Sequence, residues 1–214
     1  MMSNIKTIAA GVTLAAGFVS GASAQVSWTN WTDANAGAAG SASGNMGGVF
    51  VRYTGEVLFA QTNGAGTNYW QPDAAYLSAT VPNAPANADI IAITGGNQTV
   101  NTITFSQAIT DPIMAIVSMG QGGLPVDYVF DASFSILSVG QGYWGNGTLV
   151  QPASNILRGE EGHGVIQFQG SFTSISFVVP TGEYWHGFSV GMVPTPGSMA
   201  LLGLGGVVSL RRRR

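Results

Sequence analysis

The stretch Val126-Asp127-Tyr128-Val129-Phe130-Asp131-Ala132-Ser133-Phe134-Ser135-Ile136 alternates apolar and largely polar residues, with Val129 the exception, pauses at Asp131-Ala132-Ser133, and then alternates again. Residues two apart in an extended chain share a face. Val126, Tyr128 and Phe130 therefore define one half-buried strand, and Phe134 and Ile136 a second. The same period recurs outward at Ile103/Phe105, Ile166/Phe168 and Ile175/Phe177/Val179. Continuous apolar runs at Val49 to Val51, Ile90 to Ile93 and Ile113 to Val117 have strand length and predict burial on both faces. Val26 to Trp31, Val57 to Ala60 and Tyr184 to Val190 supply further strands. Of the 31 glycines, all but seven lie between Gln25 and Pro194, which argues against long helices. Many short strands with Gly, Pro and Asn turns predict an all-β chain, an antiparallel β-sandwich of jelly-roll-like form. Within it, Asp33 to Gly48 reads as an irregular surface loop and Pro82 to Ala88 as a turn. Asp73 to Leu77 carries a weak helical signal.

The two ends differ from this pattern. Residues 1–24 open with Lys6, continue through the apolar run Ile8 to Val19, and close on Ala22-Ser23-Ala24 before Gln25. This is the form of a secretory signal peptide, with Ala22 and Ala24 framing a cleavage site ahead of Gln25. Signal peptidase is then an expected partner. At the other end no charged residue falls between Glu183 and Arg211, and Met192 to Leu210 is an apolar run of 19 residues. As a helix it would measure about 28 Å, close to the hydrocarbon thickness of a bilayer. The arginines Arg211, Arg212, Arg213 and Arg214 directly behind it predict a cytoplasmic C-terminus with the preceding domain outside.

Charge narrows the function classes. Charged residues make up 8% of the 214-residue chain, against about 25% in ordinary soluble domains. Between Gln25 and Pro194 the cations are Arg52 and Arg158, while all ten acids of the chain fall there, for a net charge of −8. Such a domain is repelled by phosphate backbones, so nucleic acid is not an expected partner. The absence of cysteine removes disulfides, thiolate nucleophiles and thiolate metal sites.

The end Val193-Pro194-Thr195-Pro196-Gly197, followed by an Ala/Leu/Gly apolar run and the arginines Arg211 to Arg214, on a chain with a signal peptide, resembles the PEP-CTERM exported proteins of bacteria. Thr195 stands where that family usually has glutamate. Phe105 to Pro112 and Glu183 to Phe188 also look like segments of tail-bearing members. The chain then reads as three parts, signal peptide 1–24, β-sandwich 25–192 and, as the resemblance implies, sorting tail 193–214. The resemblance implies an exosortase-type enzyme as a partner that cuts near the Pro-rich motif. It also implies delivery to the cell surface or extracellular matrix after transient or lasting anchorage in the inner membrane.

Several motifs invite a catalytic reading and lack its context. Gly187-Phe188-Ser189-Val190-Gly191 has the nucleophile pattern of a strand-to-helix elbow, but it lies in a strand-like segment with no acid or histidine after it. Gly140-Gln141-Gly142-Tyr143-Trp144-Gly145 matches a dinucleotide fingerprint but runs on into Asn146-Gly147, which is turn chemistry. Both histidines follow a glutamate by three residues, in Glu160-x-x-His163-Gly164 and Glu183-x-x-His186-Gly187. On a strand that spacing points the two side chains to opposite faces, so a hydrogen-bonded core or interface role for His186 is expected and no metal or cofactor. Asp111, Asp127, Asp131, Glu160 and Glu161 would suit calcium over a transition metal, without forming a recognised loop. The scattered acids predict a non-enzymatic domain. Tyr69-Trp70 and Tyr143-Trp144, in Gly/Asn-rich surroundings, are the candidate platform for stacking on extracellular polysaccharide. Trp185 reads as a core residue in a strand. A structural or adhesive role is the leading expectation and carbohydrate binding its alternative.

Overall fold

The computed structural model describes residues 25–194. The signal peptide with Ala22 and Ala24, and the tail from Thr195 through Pro196 and Gly197 to Arg211–Arg214, lie outside the described residues; Gln25, Val193 and Pro194 lie within them. Among the described residues no helix is long and apolar enough to cross a membrane.

Fifteen strands follow one another: β1 (Ser27–Trp28), β2 (Asn30–Asn35), β3 (Gly37–Met46), β4 (Val49–Val57), β5 (Phe59–Gln61), β6 (Ile90–Ile93), β7 (Asn101–Thr110), β8 (Ile113–Met119), β9 (Val126–Phe130), β10 (Phe134–Val139), β11 (Thr148–Ala153), β12 (Ile156–Glu160), β13 (Gly162–Phe168), β14 (Ser171–Val178) and β15 (His186–Met192). They form two antiparallel sheets packed face to face. One runs β10-β13-β8-β15-β6-β5, with β1 added beside β15; the other runs β11-β12-β9-β14-β7-β4-β3-β2. The weak helical signal at Asp73 to Leu77 becomes one 3-10 turn, Asp73–Tyr76.

The expected all-β sandwich is therefore present, and its two sheets differ in a way that explains the two hydrophobic patterns. The first sheet is covered on both sides. Ile91, Ile93, Met114 and Ile116 face the main core between the sheets. Ile90, Ile113, Ala115 and Val117 face a second core under the segment 62–89, which contributes Trp70, Ala75, Tyr76 and Val81. Continuous apolar runs at β6 and β8 are the consequence. The second sheet has one wet face, so β7 and β9 alternate. β4 does so as well, contrary to the expectation that Val49 to Val51 is buried on both faces: Phe50 is 51% exposed.

Two further expectations are corrected. Asp33 to Gly48 is not a loop; most of it is the edge strand β2 and its neighbour β3, paired from Asn30↔Asn45 to Asn35↔Ser41. Ala, Gly, Ser and Asn carry almost no strand preference, and glycine serves here because a Cβ at Gly44 would collide with the Asn30 carbonyl. Val26 to Trp31 is not one strand either. Its ends belong to different sheets, with Thr29 between them donating both its backbone N–H and its hydroxyl to the Val190 carbonyl at 2.8 Å.

Candidate functional site

Three chain segments converge at one end of the covered sheet. β8 ends between β13 and β15, with Met119 opposite Gly162 and Val117 opposite Gly187. The residues leading into those flanking strands, Glu161 and the run Glu183-Tyr184-Trp185, therefore surround the Ser118–Gly120 end of β8. Together with Gln121 and Trp144 they line a cleft of about 210 Å³.

Its backbone departs from regular strand geometry. Ser118 and Glu161 both adopt left-handed φ values, 55° and 54°, which residues with a Cβ seldom hold unless their surroundings fix them. Here the side chains hold each other, since the Ser118 hydroxyl donates to Glu161 Oε1 at 2.5 Å. Behind them, the Ser118 N–H donates to His163 Nδ1 at 3.2 Å, which places the proton of the neutral ring on Nε2. The Tyr76 hydroxyl lies 3.4 Å from the same Nδ1. Burial pushes the His163 imidazole down to about 4, because a charged ring would lose its hydration there.

The Glu183 carboxylate occupies the cleft floor. Its Oε1 accepts the Gly120 N–H at 2.6 Å and lies 2.6 Å from His186 Nδ1, with only 3% of the side chain exposed. This corrects the expectation that residues three apart cannot meet. Glu183 sits in the turn ahead of β15 rather than in the strand, so the chain doubles back on itself. The other motif behaves differently: Glu160 accepts the Gly123 N–H at 2.7 Å, and its neighbour Glu161 is the residue that reaches the cleft.

Aromatic rings form one wall. Tyr69 stacks on Trp144 at 4.9 Å and 27° and meets Trp185 edge-on at 5.1 Å. Trp144 meets Trp185 at 4.9 Å. Tyr143 and Trp144 are presented by a tight turn closed by the Gly142 N–H donating to the Gly145 carbonyl at 2.8 Å. That turn rests on His163 closely enough that a Cβ at Gly142 would collide with the imidazole. Tyr184, 84% exposed, stands at the rim beside Trp144 at 43%.

The four candidate stacking residues are thus divided. Tyr143 and Trp144 are exposed, while Tyr69 is half-buried and supports Trp144 from behind. Trp70 is not a platform: it is fully buried, donates its indole N–H to the Asp89 carbonyl at 3.2 Å, and packs edge-on against Tyr76. Trp185, expected in the core of a strand, lies instead in the turn before β15 and lines the cleft. Tyr184, Ser118, Gln121 and the Glu183 carboxylate were not foreseen as site residues, and Glu161 was considered only as an oxygen ligand for calcium. The one signal pointing to them was the repeated Glu-x-x-His-Gly spacing, which marks the entry to each strand flanking β8.

The remaining motifs resolve simply. Ser189 is buried within β15, opposite Ala115, with no strand-to-helix elbow. The Gly140–Gly145 turn leads to β11 and no helix. Asp127 forms a bidentate pair with Arg158 at 2.7 Å, Asp131 accepts the Ser176 N–H, and Asp111 accepts the Gly170 N–H. Among the described residues no three Asp, Glu or His side chains gather as metal ligands would. No family model, no curated protein and no solved structure matches the chain.

Proposed function

We propose that the chain is an exported, non-catalytic bacterial surface or matrix protein whose sandwich binds extracellular polysaccharide at the cleft beside β8. One observation carries the binding reading: exposed Tyr184 and Trp144 rise beside polar groups of Ser118, Gln121, Glu161 and Glu183 in one cleft. Flat rings beside hydrogen-bonding groups suit a sugar, which has an apolar face and a polar edge. The carboxylates already serve as acceptors within the fold, Glu161 for Ser118 and Glu183 for Gly120, which favours binding over acid–base chemistry.

The order β6-β15-β8-β13 against β7-β14-β9-β12, with strands alternating between sheets from β6 to β10 and from β12 to β15, supports the jelly-roll-like reading. Export by signal peptidase, and sorting by an exosortase-type enzyme through Val193, Pro194 and the tail beyond, rest on the sequence. The two ends of the described sandwich are placed as such a tether needs. Ser27 pairs with Met192, so both ends leave the sandwich side by side, whereas the cleft lies at the opposite end of β15, roughly 20 Å away at strand rise. A membrane or matrix attachment at Pro194 would leave the cleft facing outward.

Two experiments test this reading. Intact mass of the protein from the extracellular fraction should locate its ends at Gln25 and near Pro194; a product retaining Arg214 in the membrane would contradict sorting by cleavage. Migration through gels containing soluble polysaccharide should be retarded for the wild type and restored by Tyr184→Ala. Unretarded wild type across neutral and amine-bearing polysaccharides would refute the binding function.

A further inference from the structure

The charge of the cleft narrows the ligand, and this step rests on the carbohydrate reading above. Glu161 and Glu183 line the same small space and commit only Oε1 to the protein's own donors. Glu183 is 3% exposed, and a carboxylate withdrawn from water calls for a compensating positive charge. The two described arginines do not provide it. Arg158 is spent on Asp127, and Arg52 lies on the wet face of the other sheet, opposite Ser43 and Thr104. The basic group nearest Glu183 is His186, whose ring is fully buried and stands 5.2 Å from Tyr128 in the main core. Its Nδ1 lies 2.6 Å from Glu183 Oε1, the same oxygen that accepts the Gly120 N–H, so among the described residues Oε2 is the oxygen left without a protein donor.

We propose that the cleft selects sugars bearing a protonated amine, with the pyranose face against Trp144 and Tyr184 and the ammonium directed to Glu161 and the charge of Glu183. An ammonium gains charge-assisted hydrogen bonds from carboxylates and attraction from the faces of the flanking rings. A neutral sugar keeps only the stacking. A uronic acid is repelled, as the domain's net charge of −8 also requires. The chemical class is therefore a glucosamine-type, free-amine polysaccharide.

The test compares a glucosamine oligomer, its fully N-acetylated counterpart, a neutral glucan oligomer and a lysine oligopeptide of equal charge, by calorimetric titration of the full chain at a pH that keeps amines protonated. The glucosamine oligomer should bind about tenfold or more tighter than either uncharged oligomer. That margin should collapse in about 1 M salt and in Glu161→Gln, which keeps the bond to Ser118. Trp144→Ala should weaken all the sugars alike. Equal binding of the three oligosaccharides would overturn amine selection while leaving the carbohydrate reading standing. A lysine peptide binding as tightly as the glucosamine oligomer would overturn the sugar class, and no binding by any oligosaccharide would overturn both readings. Glu183→Gln provides a second check, read at matched melting temperature, and a retained tenfold margin in both glutamine variants would contradict the proposal.

Discussion

Tyr69-Trp70 and Tyr143-Trp144 are the same dipeptide in similar Gly/Asn-rich surroundings, yet Trp70 is wholly buried and Trp144 is 43% exposed. What separates them is the sheet beneath. Trp70 belongs to the segment 62–89, which lies over the outer face of the covered sheet, where Ile90, Ile113, Ala115, Val117 and Val165 require an apolar cover. Trp144 belongs to a turn at the end of that sheet, where β8 stops and the ring finds Tyr69 and Trp185 on one side and the cleft on the other. Two identical sequence signals thus divide between a buried core and an exposed cleft wall according to whether an uncovered apolar face lies below.

Substitutions at these two places should separate cleanly. Trp70→Ala removes the largest ring of the second core and should cost about 3–5 kcal/mol in chemical denaturation; a cost under about 1 kcal/mol would mean that the cover is not structural. Acidification should strike the support of the other dipeptide. The His163 imidazole, held down to about 4 by burial, binds a proton more readily in the unfolded chain, whose histidines titrate near 6.5. Its contribution is therefore whole above about 6.5 and lost as pH falls toward about 4, by roughly 3 kcal/mol at the lower end. His163→Gln should flatten that part of the pH–stability curve; an unchanged slope would refute the assignment. Gly142→Ala forces the turn off the imidazole and should cost about 1–3 kcal/mol, together with loss of sugar binding as Trp144 moves. Smallest of all is the expected stability change for Trp144→Ala, under about 1 kcal/mol for a half-exposed ring, while sugar binding falls about tenfold.

Much of the fold was legible because apolar period and sheet burial are two views of one fact. Val126/Tyr128/Phe130 alternate because β9 has one wet face, and Ile113 to Val117 do not because β8 separates two cores. The hairpin of β2 and β3 was illegible, since its pairing rests on backbone hydrogen bonds and close approach at Gly44 rather than on side-chain preference. The site was half legible. Exposed aromatics at Tyr143-Trp144 stood out, but nothing local to Tyr69-Trp70 reveals the apolar face that its loop must cover. The carboxylates were hidden for a topological reason: Glu161 and Glu183 are distant in sequence and meet because their strands flank β8. Glu183, in the turn ahead of β15, also escapes the strand rule that sends residues three apart to opposite faces.

The contrast between the two dipeptides is also open to direct observation. Each of the five tryptophans, Trp28, Trp31, Trp70, Trp144 and Trp185, gives its own indole N–H signal in a nitrogen-15 correlation spectrum. Titration with a glucosamine oligomer, and then with a neutral glucan oligomer, should move the Trp144 and Trp185 signals and leave those of Trp70 and Trp31 in place. Movement confined to Trp28, Trp31 or Trp70, or no movement of Trp144 with either oligomer, would contradict the cleft beside β8 as the surface through which this protein meets polysaccharide.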